Sequence, residues 1–117
     1  METADSILVS IKKMLGLEAD YIHFDTDIIL HINTVLSVLT QLGVGPTNGF
    51  VITGDEQTWS QFIGQITPER FSMVKSYVYL KVKLIFDPPL SSAAIEAIKT
   101  QITELEWRIA VAADPVL

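Results

Sequence analysis

Apolar residues recur at helical spacing along two long segments of the chain. In the first segment they are four, three, four and three positions apart, at Ile28, Ile32, Val35, Leu39 and Leu42. In the second they stand at Ile95, Ile98, Ile102, Leu105 and Ile109. This spacing places the apolar side chains of each segment on one face of an α-helix. Both segments are therefore predicted to be amphipathic helices that pack on a common core.

Capping residues, glycines and prolines set the limits of four predicted main helices. The first runs from about residue 3 to residue 15 and stops at Gly16. The others are a helix capped by Asp25 that ends at Gly43, a helix capped by Thr67 that ends at Phe86, and a helix capped by Ser91 that ends near Val111. Two hydrophobic staples are predicted, Phe24 with Ile29 and Leu90 with Ile95.

Residues 43–54 form an irregular segment between the second and third main helices, here called the excursion. Glycine and proline interrupt it repeatedly, and only residues 50–53 resemble a short strand. A brief helical piece is predicted at about residues 59–63. The predicted fold is all-α: a bundle of four main helices with a short, irregular and β-like excursion. Residues 1–111 are expected to form one domain and residues 112–117, which include Pro115, a flexible tail.

Composition excludes several classes of function. Eight basic residues face 14 acidic ones, for a net charge of −6, so the chain lacks the clustered cations that bind nucleic acid. No apolar stretch reaches the length of a membrane span, and no secretory signal is evident at the N-terminus. The absence of cysteine excludes disulfides and thiol chemistry. We expect a cytoplasmic protein that binds neither a specific DNA sequence nor a membrane.

One cation occupies an unusual position on the third main helix. A helical wheel places apolar residues over more than half of this helix, which predicts that it is central in the bundle. Lys81 falls in the middle of that apolar arc. It must extend its amine to solvent, pair with Glu104 or Glu106 within the chain, or lie where a second subunit meets this one.

A tryptophan occupies an equally unusual position on the last helix. Trp107 lies roughly 160° around that helix from the isoleucine face, on the same side as Val111. One helix cannot bury both faces on the same neighbour. Large aromatic residues dominate protein-binding surfaces, so Trp107 is a candidate interface anchor. The alternative is that the excursion folds over it.

No arrangement of residues predicts catalysis. His23, Asp25, Asp27 and His31 are a weak metal signal, because a capped helix start explains the same residues. The glycines of the excursion lack the Gly-Lys-Ser/Thr ending of a phosphate loop. No nucleophile stands at a spacing from a base that would make the pair credible. We expect no enzyme, no metal site and no cofactor.

Several strings of the sequence resemble a known family. They are Ile-Leu-Val-Ser-Ile-Lys-Lys-Met-Leu-Gly (residues 7–16), Phe-Asp-Thr-Asp-Ile-Ile (24–29), Gln-Leu-Gly-Val-Gly-Pro (41–46), the run from Val74 to Pro89, and Glu-Leu-Glu-Trp-Arg (104–108). Together they resemble small head–tail connector proteins, also called head-completion or adaptor proteins, of long-tailed phages and prophages of Gram-positive bacteria. The resemblance spans nearly the whole chain.

The resemblance implies a structural role in the virion. Such subunits are helical and non-enzymatic, and they assemble as rings, typically of twelve, below the portal protein. The ring extends the DNA channel and contacts the next connector or a tail-completion protein. By this resemblance, residues 107–117, with Trp107, Val111 and Pro115, are predicted to face the portal. The excursion, with Asn48 and Phe50, is predicted to face the channel or the next ring.

Two other functions remain open from the sequence. The chain could be a small helical regulatory or adaptor domain that binds one protein through its last helix. A DNA-binding regulator is a further alternative, although the acidic composition argues against it.

Overall fold

The computed structural model describes residues 5–64 and 66–113, and this part of the chain folds into five α-helices without a strand. They are α1 (Ile7–Met14), α2 (Asp25–Gln41), α3 (Trp59–Ile63), α4 (Pro68–Phe86) and α5 (Ser92–Ala113). The all-α class is therefore confirmed. The predicted main helices correspond to α1, α2, α4 and α5, and the predicted brief helical piece to α3. Within the same residues, no helix has the length and apolar character needed to span a membrane.

Helix α4 lies at the centre of the fold, as predicted from the apolar residues that cover more than half of its circumference. It packs against α5, α2 and α1. Its buried residues are Val74, Tyr77, Val78 and Val82. The predicted apolar faces of α2 and α5 supply a further part of the core: Ile28, Ile32, Val35 and Leu39 are buried from α2, and Ile102 and Ile109 from α5. The helical spacing in the sequence therefore identified the faces that pack.

Side-chain caps hold the starts of three of the four main helices. The Thr67 hydroxyl accepts a hydrogen bond from the Arg70 amide, and Pro68 occupies the first position of α4, both as predicted. The Ser91 hydroxyl accepts from the Ala94 amide at the start of α5. Helix α1 begins later than predicted, because Ser6 caps it by accepting from the Val9 amide. The predicted start at residue 3 lies outside the described residues.

The prediction that Asp25 caps α2 is wrong. Asp25 is the first residue of the helix, and Phe24, which precedes it, makes no side-chain capping hydrogen bond. The Asp25 carboxylate faces Lys12 of α1 instead, with 2.8 Å between Oδ1 and Nζ. The alignment of these atoms does not meet hydrogen-bond geometry, so the contact is best described as an ion pair. It joins the last turn of α1 to the first turn of α2.

Lys12 is the most unexpected residue of the core. Its side chain is only 1% exposed, although a lysine is rarely buried unless it is paired. In addition to Asp25, its amine donates a 3.0 Å hydrogen bond to the Ala19 carbonyl oxygen in the turn after α1. Both partners come from the chain that follows α1, so Lys12 fastens the α1–α2 connection from inside.

The predicted strand at residues 50–53 is wrong. The backbone there is irregular, and the Asn33 side chain of α2 takes the place of a neighbouring strand. The Ile52 amide donates to Asn33 Oδ1 at 2.7 Å, and Asn33 Nδ2 donates to the Ile52 carbonyl oxygen at 3.0 Å. One side-chain amide thus satisfies both backbone groups of Ile52, whose side chain is buried in the core.

The excursion leads into α3, which is fixed against α1. Thr58 caps α3 in a capping box with Gln61. The Ile7 amide donates to the Gln57 carbonyl oxygen at 3.1 Å. Trp59 is 1% exposed, and its indole N–H donates a 2.8 Å hydrogen bond to the Ser10 hydroxyl. The short helix therefore forms part of the core.

Candidate protein-binding surfaces

The outer face of α5 carries the most exposed aromatic side chain of the described structure. Trp107 is 66% exposed, and Val111, one turn further along, is also exposed. We call these two residues the α5 surface. The alternative that the excursion covers Trp107 is wrong, because Phe50 of the excursion packs on Phe62 of α3, with 5.4 Å between ring centroids. No described part of the chain therefore buries this tryptophan.

A groove between α4 and α5 borders the α5 surface. It has a volume of about 510 Å³. Its lining residues are Met14, Ser76, Tyr79, Leu80, Gln101, Glu104, Leu105 and Arg108. Glu104 and Arg108 form an ion pair at 2.8 Å and lie, on the helical wheel, between the groove and the α5 surface. A partner that covered Trp107 would therefore meet this charged pair before it reached the groove.

Lys81 lies beside α5, and its charge is paired with a carboxylate of the same chain. Its amine is 4.0 Å from Glu106 Oε2 and 5.8 Å from the centre of the Tyr77 ring. This is the intrachain pairing that the sequence left open as one alternative, with Glu106 as the partner. The lysine is about 29% exposed, and its role in an interface stays a prediction.

The same glutamate also binds a tyrosine of α4. The Tyr77 hydroxyl donates a 2.7 Å hydrogen bond to Glu106 Oε2. Burial, followed by the hydrogen bond and the charge of Glu106, raises the pKa of Tyr77 well above its ordinary value. The hydroxyl therefore keeps its proton and stays a donor. Through Glu106, Tyr77 and Lys81 attach the inner side of α5 to α4.

The two interface candidates of the excursion differ in exposure. Asn48 is exposed at its tip, whereas Phe50 is half-buried against Phe62. A side chain at Gly45 would come within 2.5 Å of the Phe62 ring, and its φ of +85° also favours glycine, so the loop fits closely over α3. Val51, which the sequence analysis did not single out, is 61% exposed. The exposed side chains of this segment, which a partner can reach, are those of Thr47, Asn48, Val51 and Thr53.

A second apolar surface lies at the other end of the molecule. It consists of Tyr21, Ile22, Ile85 and Leu90, all exposed, and we call it the end surface. Phe24 and Phe86, with ring centroids 5.2 Å apart, bring the two connecting loops together there. The predicted staple of Leu90 on Ile95 is wrong, because Leu90 is fully exposed. The sequence analysis missed this surface, since Tyr21, Ile22 and Leu90 lie in loops and Ile85 in the last turn of α4, so that the four share no helical spacing.

The two surfaces are well separated along α5. This helix has 22 residues, which corresponds to about 33 Å at 1.5 Å per residue. Leu90 precedes its first turn, and Val111 is in its last. The subunit therefore presents apolar side chains at both ends of one long helix. The helix includes Ala112 and Ala113 of the predicted tail, whereas Pro115 and the rest of residues 114–117 lie outside the described structure.

The residues that resemble a metal site have other contacts. Asp25 pairs with Lys12, and the His23 ring lies edge-on against Phe24 at 4.7 Å. Across residues 5–64 and 66–113, no three histidine, aspartate or glutamate side chains are grouped so that they could hold a metal ion.

Comparison with known proteins gives the family. A family model described as a phage connector protein matches residues 7–116. No curated protein and no solved structure matches the chain. Because the family model covers far more than half of the sequence, the chain belongs to the phage connector protein family. It is a structural component of the virion that associates with other virion proteins, in agreement with the resemblance described above.

Proposed function

We propose that this phage connector protein is a head–tail adaptor subunit, which forms a ring below the portal and joins the capsid to the tail. The exposure of Trp107 on the outer face of α5 is the observation that carries the proposal. A buried tryptophan would serve the core, whereas an exposed one in a connector offers a large, rigid anchor to a neighbouring protein. The portal protein is the proposed neighbour of the α5 surface.

Ring formation needs more than one contact surface. In a closed ring of identical subunits, each subunit meets its two neighbours through two different surfaces. The end surface and the groove between α4 and α5 are separate from the α5 surface and supply such contacts. Twelve copies, the number that the resemblance implies, would match a portal of the same symmetry. The excursion, with Asn48 at its tip, would then meet the channel or the next connector.

The charge of the chain suits a passage for DNA. At −6 per subunit, the ring repels the phosphate backbone and leaves the duplex mobile. We propose no catalytic step. The described polar side chains of the α4–α5 interface contact one another, as Lys81, Tyr77 and Glu106 do, and serve to hold the helices together. The protein would act in the host cytoplasm during assembly and remain in the virion at the head–tail junction.

A reconstitution experiment tests the proposal. The purified chain is mixed with the portal protein encoded by the same phage, and the particles are imaged by electron microscopy. We expect an additional ring of density on the portal, and its loss with Trp107→Ala. Leu30→Ala is the matched control, because Leu30 is also exposed, at 62%, but lies on the outer side of α2. Absence of added density with the unmodified chain contradicts the proposal, and a stable one-to-one complex with another protein would favour a small adaptor domain.

A further inference from the structure

A small cavity, lined mainly by apolar side chains but also by polar atoms, opens at the C-terminal end of α5. It has a volume of about 110 Å³. Its walls include Ile63, Ile66, Met73 and Ile109. An apolar cavity of about 150 Å³ can hold a benzene molecule, so this one has room for a single aliphatic side chain. Its apolar walls suit an aliphatic side chain.

One cation borders this cavity. Arg70, in the first turn of α4, lines it and is half-buried. The ion pairs found among the described residues involve Lys12, Lys81, Lys83, Lys99 and Arg108, but not Arg70. A guanidinium binds carboxylates strongly and stays charged at all ordinary pH values. The site therefore suits a short segment that combines an aliphatic side chain with a carboxylate.

The end of α5 reaches the mouth of the cavity. Ala112 lines the cavity. A Cβ atom at Gly43, another lining residue, would lie 3.2 Å from the Ala113 side chain. Residue 113 is thus in contact with the loop that forms one wall. Ala113, the last residue that the structure describes, therefore lies beside the cavity.

The sequence that follows has the matching composition. It reads Asp114-Pro115-Val116-Leu117, with one carboxylate and two aliphatic side chains. Proline does not continue a helix and disfavours helical backbone in the residue before it, so the segment is suited to turn away from the axis of α5. A segment tethered this close has a high effective concentration at the site.

We propose that residues 114–117 bind this cavity in the free subunit, with the Asp114 carboxylate beside Arg70 and an aliphatic side chain of the Val116–Leu117 pair inside. A partner that takes up this segment must then displace it from the cavity. The inference concerns the isolated chain and does not depend on the proposed adaptor role.

Methyl nuclear magnetic resonance tests the docking directly. Spectra of the full chain are compared with those of a chain truncated after Ala113. We expect the Ile66 and Met73 methyl resonances to shift on truncation. The Ile28 and Ile32 methyls of α2 should stay in place, which shows that the truncated chain is still folded. Unchanged Ile66 and Met73 resonances in a folded truncated chain would overturn the proposal.

A pair of charge variants tests the role of Arg70. Arg70→Gln should move the Val116 and Leu117 methyl resonances toward those of a free Asp-Pro-Val-Leu peptide. Lys75→Gln removes a charge from the same helix at a residue whose amine lies over the Phe71 ring and not at the cavity, so it should have no such effect. Equal effects of the two variants would mean that only net charge matters and would overturn the assignment. A dependence of these shifts on protein concentration would do the same, because it would identify a second copy as the source of the segment.

Discussion

The two tryptophans of this chain occupy opposite environments. Trp59 is enclosed: α1 accepts its indole hydrogen bond through Ser10, and Phe71 of α4 lies edge-on against it at 5.8 Å. Trp107 lies on the outer face of α5 with two thirds of its surface exposed. The same residue type therefore completes the core in one region and lies on the surface in the other. The difference depends on which other elements pack over each tryptophan, since neither helix alone can enclose one.

The largest effect is expected when Trp59 is replaced. Trp59→Ala should lower the free energy of unfolding by about 3–5 kcal/mol, because it leaves a cavity and removes the hydrogen bond to Ser10. Trp107→Ala is the matched control and should change it by less than about 0.5 kcal/mol. Urea denaturation of both variants measures the difference. Equal losses would mean that Trp107 also belongs to the core.

Loss of the buried ion pair should have the next largest effect. Asp25→Asn removes the negative charge that faces the buried Lys12 amine, which keeps its hydrogen bond to the Ala19 carbonyl oxygen. Removal of one partner of a buried pair costs about 3–5 kcal/mol, and we expect about 2 kcal/mol here because Asp25 is partly exposed. Asp27→Asn, in the same first turn of α2, is the control for the helix-dipole contribution. If both variants lose the same stability, the ion pair contributes nothing of its own.

The excursion that leads to Trp59 can be loosened without touching the tryptophan. Asn33→Ala removes both partners of the Ile52 backbone and should cost about 1–3 kcal/mol. Hydrogen exchange at residues 50–53 should accelerate, whereas Asn48→Ala, at the exposed tip, should leave it unchanged. Slow exchange in the Asn33 variant would show that the loop is held by its apolar contacts alone.

The inner side of α5 should respond to alkaline pH. The pKa of Tyr77 is raised in the folded state, so the folded protein retains a proton that the unfolded chain loses near pH 10. The stability from this group is present below about pH 10 and is lost as the pH rises further. Tyr77→Phe should cost about 1 kcal/mol at neutral pH and flatten the alkaline decline in melting temperature. If the melting temperature of the variant falls as steeply at alkaline pH, other groups cause the decline.

The outer side of α5 should show the smallest effect on stability and a clear effect on binding. Trp107→Ala is expected to weaken binding to the portal protein by at least about 1 kcal/mol, measured by calorimetry or by ring occupancy in micrographs. Truncation after Ala113 should leave the fold intact and impair docking. Normal assembly of the truncated chain would show that the contact with the portal does not need residues 114–117.

The sequence predicted those parts of the fold that depend on neighbours along the chain. Apolar spacing identified the buried faces, and Thr67, Pro68 and Ser91 act at the helix starts where they were expected. The wheel also placed Trp107 away from the core. Each of these features requires only the geometry of a single helix.

The features that were missed depend on contacts between distant residues. Residues 50–53 form no strand because Asn33, 19 positions before Ile52, supplies the hydrogen bonds. Asp25 does not cap α2 because the Asp25 carboxylate pairs with the buried amine of Lys12. The end surface joins two loops that only the Phe24–Phe86 contact brings together. Neither the spacing nor the type of these residues reveals such partners.

The attachment of α3 to α1 determines when the short helix can form during folding. Trp59 and Ser10 are 49 residues apart, so the chain between them must be largely ordered before their hydrogen bond can offset the entropy of closing that loop. A helix of five residues is too short to persist alone. We therefore expect docking of α3 to be a late step in folding and its release an early step in unfolding. A nascent subunit with an undocked α3 would expose Trp59 to proteases and to aggregation until α1 and α2 have packed.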